Sequence, residues 1–228
     1  MLAQLQSTND QLITSKYSES FVNNVYKMMS VGVFVSVSTA LLLIWSESIY
    51  FISLFAPVLF ILELVFAFCL SLFAEKIHST LALAIFFIYS TFSGLVISSI
   101  CYSYQAPSII VSFFTGGCLF ALMAFYGHYS GENLTKFKNV LLMGLLGIIM
   151  ASILNIFFSN SLLDWTVSYL GVGVFLGLTS YDSKRIQKLA LANNSKAQTL
   201  LFNASLILYI DIINLILSIF GLNLKREN

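Results

Sequence analysis

Charge is what this sequence has least of. Only 9% of its 228 residues are Asp, Glu, Lys or Arg, against 58% apolar, and the mean hydropathy is +0.90. A soluble domain usually carries about 25% charged residues. Eleven basic and ten acidic side chains are too few to build a water-facing surface around such a chain. The net charge of +1 leaves no basic footprint for nucleic acid. Proline is almost absent, and neither Pro57 nor Pro107 marks a linker. Cysteine is also scarce. Cys69, Cys101 and Cys118 are odd in number, lie in or beside apolar runs and form no CxxC, so they read as packing residues outside any disulfide framework or metal site. A cleavable leader is not expected either. The first twenty residues are polar, with Asp10, Lys16 and Glu19, and the apolar run that follows is long enough to span a bilayer and has no small-x-small cleavage pattern after it.

What is abundant is apolar sequence in long runs. A helix needs about 20 such residues to cross the hydrocarbon core. Seven runs qualify, at about 22–45, 51–73, 80–101, 107–126, 140–158, 165–188 and 200–222. The connections between them are short, so sequential helices should be antiparallel neighbours. With no low-complexity tract or internal repeat, residues 1–228 read as one all-α integral membrane domain of seven transmembrane helices. Small residues at Gly116 with Gly117, Gly144 with Gly147, and Gly173 with Gly177 mark candidate helix contacts. Trp45 and Trp165 suit the membrane interface.

Lysine and arginine favour the cytoplasmic side. With seven spans, Lys16, Lys27, Lys76, Lys136, Lys138, Lys184, Arg185, Lys188 and Lys196 share one side, and only Lys225 and Arg226 fall on the other. The N-terminus is therefore expected in the cytoplasm.

Carboxylates at membrane depth are functional candidates by default, because charge there is costly. Three qualify: Glu63, Asp182 and Asp211. Asn203, Ile207, Asp211, Asn214 and Ser218 recur at steps of three and four, which places them on one helix face. That stripe must face protein or water. One reading is interhelical hydrogen bonding, worth about 0.6–2 kcal/mol per contact; the other is a functional carboxyl with a polar lining of Asn203, Asn214 and Ser218. For Asp182 the plain alternative is a helix-end charge paired with Lys184 or Arg185. The spans carrying Asp182 and Asp211 are joined by a short loop and should pack side by side. The two aspartates could then meet if the sixth helix runs to about Leu189, with Lys184, Arg185 and Lys188 snorkelling outward. Two carboxylates at close range cannot both ionise cheaply, so they would share a proton and titrate as a coupled pair. When ionised the pair would attract a cation. It is too small for a tight calcium cage of six to eight oxygens, but it suits a weak, transient calcium site. Glu63 reads either as a protonated or snorkelling side chain or as a lining to the same cavity. His78 and His128 have no ligand companions at metal spacing.

Enzyme signatures are missing. The chain has no HExxH, GxSxG or phosphate loop. Tyr181-Asp182 matches half of the intramembrane aspartyl protease pattern, but Leu208-Tyr209-Ile210-Asp211 lacks the glycine that the other half requires. No enzymatic role is expected.

Two motifs carry a resemblance. Gly177-Leu178-Thr179-Ser180-Tyr181-Asp182-Ser183 and Leu208-Tyr209-Ile210-Asp211-Ile212-Ile213-Asn214-Leu215 resemble the Bax inhibitor-1 (transmembrane Bax-inhibitor motif) family. Phe21-Val22-Asn23-Asn24-Val25-Tyr26 looks like its bacterial branch's entry to the first helix, and Ile61-Leu62-Glu63 like its second helix. The resemblance implies a seven-helix bundle whose last helix is central, wrapped by the other six. It implies a pH-sensitive cation leak, with calcium as the permeant ion, no tightly bound cofactor, and Asp182 and Asp211 as sensor and gate. Partners would be the lipid bilayer, calcium, protons and membrane proteins, with no nucleic acid, and the location a bacterial inner (plasma) membrane. A second implied role is regulation of cell death or membrane proteolysis through partner proteins, without conduction. The family latches its aspartates with a basic residue at the end of the second helix. An ungapped count from Glu63 puts that position at Ala74, and Lys76 is the nearest cation. A lysine lacks the bidentate fork of arginine, which puts the latch in doubt.

Overall fold

The computed structural model describes residues 2–46, 49–73, 78–102, 106–131, 134–191 and 197–224. All its regular structure is helical: α1 (Leu2–Ile44), α2 (Ile49–Leu54), α3 (Ala56–Phe73), α4 (Ser79–Tyr102), α5 (Ala106–Tyr129), a short 3-10 turn (Leu134–Phe137), α6 (Lys138–Phe158), α7 (Ser161–Leu191) and α8 (Ala197–Leu224). Among the described residues, seven helices are long and apolar enough to cross a membrane. Helices are one of two solutions that satisfy every backbone group inside lipid. The many buried hydroxyls follow the same rule. Ser36, Ser90, Ser152, Thr179, Ser205 and Ser218 each donate to a carbonyl one turn back in their own helix.

The first candidate span, Ser18–Ile44, agrees with the reading of about 22–45 and lies within a helix that runs from Leu2. One end differs from the sequence reading. The second span, expected from about residue 51, breaks at Phe55 into α2 and α3. Pro57 cannot donate to Ser53, and its ring crowds that carbonyl, so a continuous helix stops there and a new one begins with proline in its first turn.

Helix α8 is the core. In an 18-residue apolar stretch of its candidate span Leu200–Leu222, 83% of the residues are buried, against 17–44% in such stretches of the other six. The outer helices turn Phe34, Leu42, Phe114, Met143 and Phe157 outward, as a lipid-facing sleeve requires. Trp45 is 90% exposed at the end of α1, and Trp165 stacks on Tyr169 at the start of α7. The wrapping of α8 is uneven. Helices α7, α5, α1 and α4 pack along it, whereas α3 touches it sparsely and α6 leans on α7 and α3 instead. The enclosure by all six helices that the resemblance implies is thus incomplete on the α3 and α6 side.

Glycines decide two of the close contacts. A Cβ on Gly127 would sit 2.2 Å from the Ser180 carbonyl oxygen, so α5 and α7 approach backbone to backbone beside the Asp182 motif. At the far end of α7, Gly171 faces Ser218 and Gly221 faces Ser168, which draws α7 onto α8. Of the glycines expected at interfaces, Gly116, Gly144 and Gly177 face Ile216, Val174 and Leu141. A Cβ on Gly117, Gly147 or Gly173 would meet nothing.

Candidate functional site

Asp182 and Asp211 lie within electrostatic range of each other. Helix α7 runs past Leu189 to Leu191, so Asp182 lies on a continuous helix that packs against α8. The two carboxylates are 6% and 2% exposed and interact electrostatically. Among the described residues, the buried Asp211 Oδ2 has no hydrogen-bond partner. On the α1 side, the Tyr26 hydroxyl lies within electrostatic range of Asp211 and 3.4 Å from the Ser183 hydroxyl.

Cations gather on one side of the pair. Asp182, Arg185 and Lys138 line a pocket of about 10 Å³ with Ser71, Tyr181 and Ile207. The Arg185 Nη1 donates to the Asp182 Oδ1 at 3.4 Å, and Lys138 acts on Asp182 electrostatically. This corrects the outward course expected of all three basic residues after Asp182. Only Lys188 is exposed. Arg185 folds back because a buried carboxylate draws the nearest guanidinium. The Lys184 ammonium donates to the Ser130 carbonyl at 2.5 Å and to Gln187 at 3.2 Å. Lys138, at the start of α6, was not singled out from the sequence. The expected latch residue Lys76 and its neighbour Ala74 lie outside the described residues.

Glu63 occupies a second polar centre, higher on the bundle. It is fully buried, and Ser93 donates to its Oε1 at 2.6 Å. The Tyr89 hydroxyl is beside it and accepts from the Asn214 Nδ2 at 3.1 Å. The Glu63 Oε2 and the Asn214 Oδ1 have no partner. Tyr209 joins from α8 through its hydroxyl, which pairs with Ser36. Glu63 therefore lies in a network of its own, and lines neither the pocket at Asp182 nor the larger cavity described next.

The polar stripe of α8 is buried along its length, at Asn203, Asp211, Asn214 and Ser218. Its outer end opens into a cavity of about 560 Å³ between α3, α6, α7 and α8, where Ser218 forms part of the wall. The inner end, at Ile207 and Asp182, has room for about one water. Among the described residues, no three His, Cys, Asp or Glu side chains converge on one point. The site therefore offers two buried carboxylates beside a polar stripe on α8.

The chain is similar in sequence to known proteins over most of its length. The profile of the family described as "Inhibitor of apoptosis-promoting Bax1" matches residues 18–228. An uncharacterised protein of Borreliella burgdorferi is 35% identical over the full length of both chains. The "Inner membrane protein YbhL" of Escherichia coli K12 is 32% identical over 89% of this chain and 92% of its own. An uncharacterised protein of Deinococcus radiodurans is 30% identical, covering 97% and 95%.

Proposed function

We propose, from the premise that this chain belongs to the Bax inhibitor-1 family, that it is a pH-sensitive cation leak. Calcium is the permeant ion, and the Asp182–Asp211 pair is the gate. The observation that carries the reading is the burial of these two carboxylates, from two different helices, within electrostatic range of each other at the core of the bundle. A shared proton lets the pair pack. Full ionisation sets two like charges against each other in a medium that screens them poorly, which drives α7 and α8 to rearrange or a cation to enter. The one-water pocket at Arg185 and Lys138 supports a path that is closed there in the protonated pair. The two cations supply the counter-charge that the pair must leave or keep when its protonation changes.

The proposed setting is a bacterial inner membrane, as in the name of the Escherichia coli relative, with the lysine-rich end and the N-terminus in the cytoplasm. In this reading the protein is a conduit, not an enzyme. It holds calcium and protons only in passage and keeps no cofactor.

The test is calcium entry into dye-loaded liposomes holding the purified protein, measured between about pH 5 and pH 8 beside Asp211→Asn. A pH-dependent flux whose profile changes in the variant supports the gate. Folded protein that passes no calcium above empty liposomes would overturn it in favour of a regulator acting through protein partners.

A further inference from the structure

The cavity of about 560 Å³ sits where α6 stops and α7 starts, at the end of the bundle opposite the cluster of Lys138, Lys184, Arg185 and Lys188. It exists because α3 and α6 are both held off α8 there. It has room for roughly a dozen or more waters. Its polar lining is all oxygen and amide: Ser152, Asn155, Ser159, Asp164, Ser168 and Ser218. Such a lining suits a hard cation that keeps part of its water shell.

Asp164 is fixed in place by the turn between α6 and α7. Ser159 caps α6 with φ 46°, a left-handed conformation, and donates its N–H to the Asn155 carbonyl. The Asn155 Oδ1 accepts from the Asn160 N–H at 2.9 Å, and its Nδ2 donates to the Asp164 Oδ1 at 2.5 Å. The Asn160 Oδ1 accepts from the N–H groups of Leu162 at 2.9 Å and Leu163 at 3.3 Å, capping α7. The carboxylate is thus held at the cavity wall by side chains instead of swinging freely in solvent. Among the described residues no lysine or arginine forms an ion pair with it.

The polar stripe of α8 continues from the cavity wall toward the middle of the bundle. Ser218 in its wall donates to the Asn214 carbonyl, one turn nearer the centre, and the Asn214 Oδ1 is buried and unpaired. Asp211 follows one turn beyond, so the cavity wall at Ser218 is about 10 Å from the pair along α8.

We infer that this cavity is the outer vestibule of the path, a water-filled site where Asp164 gathers a hydrated hard cation before it reaches the Asp211 stripe. The inference rests on the conduit reading, and its test does not need conduction. Ser152→Cys and Ser168→Cys are made separately in a chain with Cys69, Cys101 and Cys118 replaced. Each is reconstituted and treated with membrane-impermeant thiol reagents of equal size and opposite charge. The cationic reagent should label at least one of the two positions, from the outer side, about threefold to fivefold faster than the anionic one. That preference should vanish with Asp164→Asn or at high salt. Labelling by a lipid-soluble maleimide alone would make the cavity a lipid-facing crevice, and equal rates for both charges would remove Asp164 from cation gathering. Either result overturns the inference, as does no labelling of folded protein by any reagent. A protein that labels as expected but passes no calcium keeps the vestibule and loses the leak.

Discussion

Replacing Ser93 by alanine removes the hydroxyl that donates to Glu63. The bond is 2.6 Å long between two fully buried residues, and the other carboxyl oxygen already has no partner. Hydrogen bonds between membrane helices average about 0.6 kcal/mol and reach about 1.7. Stranding a buried acceptor in a soluble core costs about 1–3 kcal/mol. Both oxygens of Glu63 would then rest on the neighbouring Tyr89 hydroxyl. The expected loss is about 1.5 kcal/mol, close to tenfold in the folding equilibrium. The assay is reversible unfolding in mixed micelles, run as a cycle with Glu63→Met. In the methionine background Ser93 has no carboxyl to reach, and its hydroxyl still lies 2.9 Å from the Tyr89 carbonyl. There the alanine should change stability by less than about 0.5 kcal/mol, so the coupling comes to about 1 kcal/mol. Equal losses in both backgrounds would refute the idea that Ser93 holds the carboxyl in place.

Gly127→Ala forces a methyl group into the Ser180 carbonyl; it should destabilise the protein by about 1–3 kcal/mol in thermal unfolding and alter the pH profile of flux, since the contact adjoins Asp182. Arg185→Gln and Lys138→Gln should each displace the pH profile of calcium flux by on the order of one pH unit with the fold retained by circular dichroism, whereas the exposed Lys188→Gln should leave it in place. Asn155→Ala cuts both bonds that tie the α6–α7 turn together and should cost about 1–2 kcal/mol, with faster hydrogen exchange confined to the first turn of α7.

The seven spans were readable because length and hydropathy suffice to define them, and the two aspartates because each sits in a motif on a recognisable face. The break at Phe55 was missed although Pro57 was in view, since the apolar run continues across it and hydropathy does not register a lost N–H. Arg185 was sent outward for a related reason. At i+3 from Asp182 it can reach either the headgroups or the carboxylate, and only the packing of α6 and α8 around that carboxylate decides. Lys138 could not be found from sequence spacing, because it reaches Asp182 across the bundle from another helix. The outer cavity was equally hidden. Six of its lining residues are ordinary polar side chains near helix ends, and the space between them comes from how α3 and α6 tilt away from α8.

The burial of α8 carries a consequence for how the protein is made. Chains leave the ribosome at about 5–20 residues per second, so Ser18–Ile44 emerges roughly ten seconds or more before Leu200–Leu222. The helix that ends at the centre is thus the last of the seven to enter the bilayer. The six earlier helices cannot close on their final neighbours until it arrives. Until then Tyr26 and Asp182 lack Asp211, Tyr89 lacks Asn214, and a half-made bundle holds a polar groove open to lipid. That interval is when a membrane chaperone or quality-control protease would find the nascent protein most exposed.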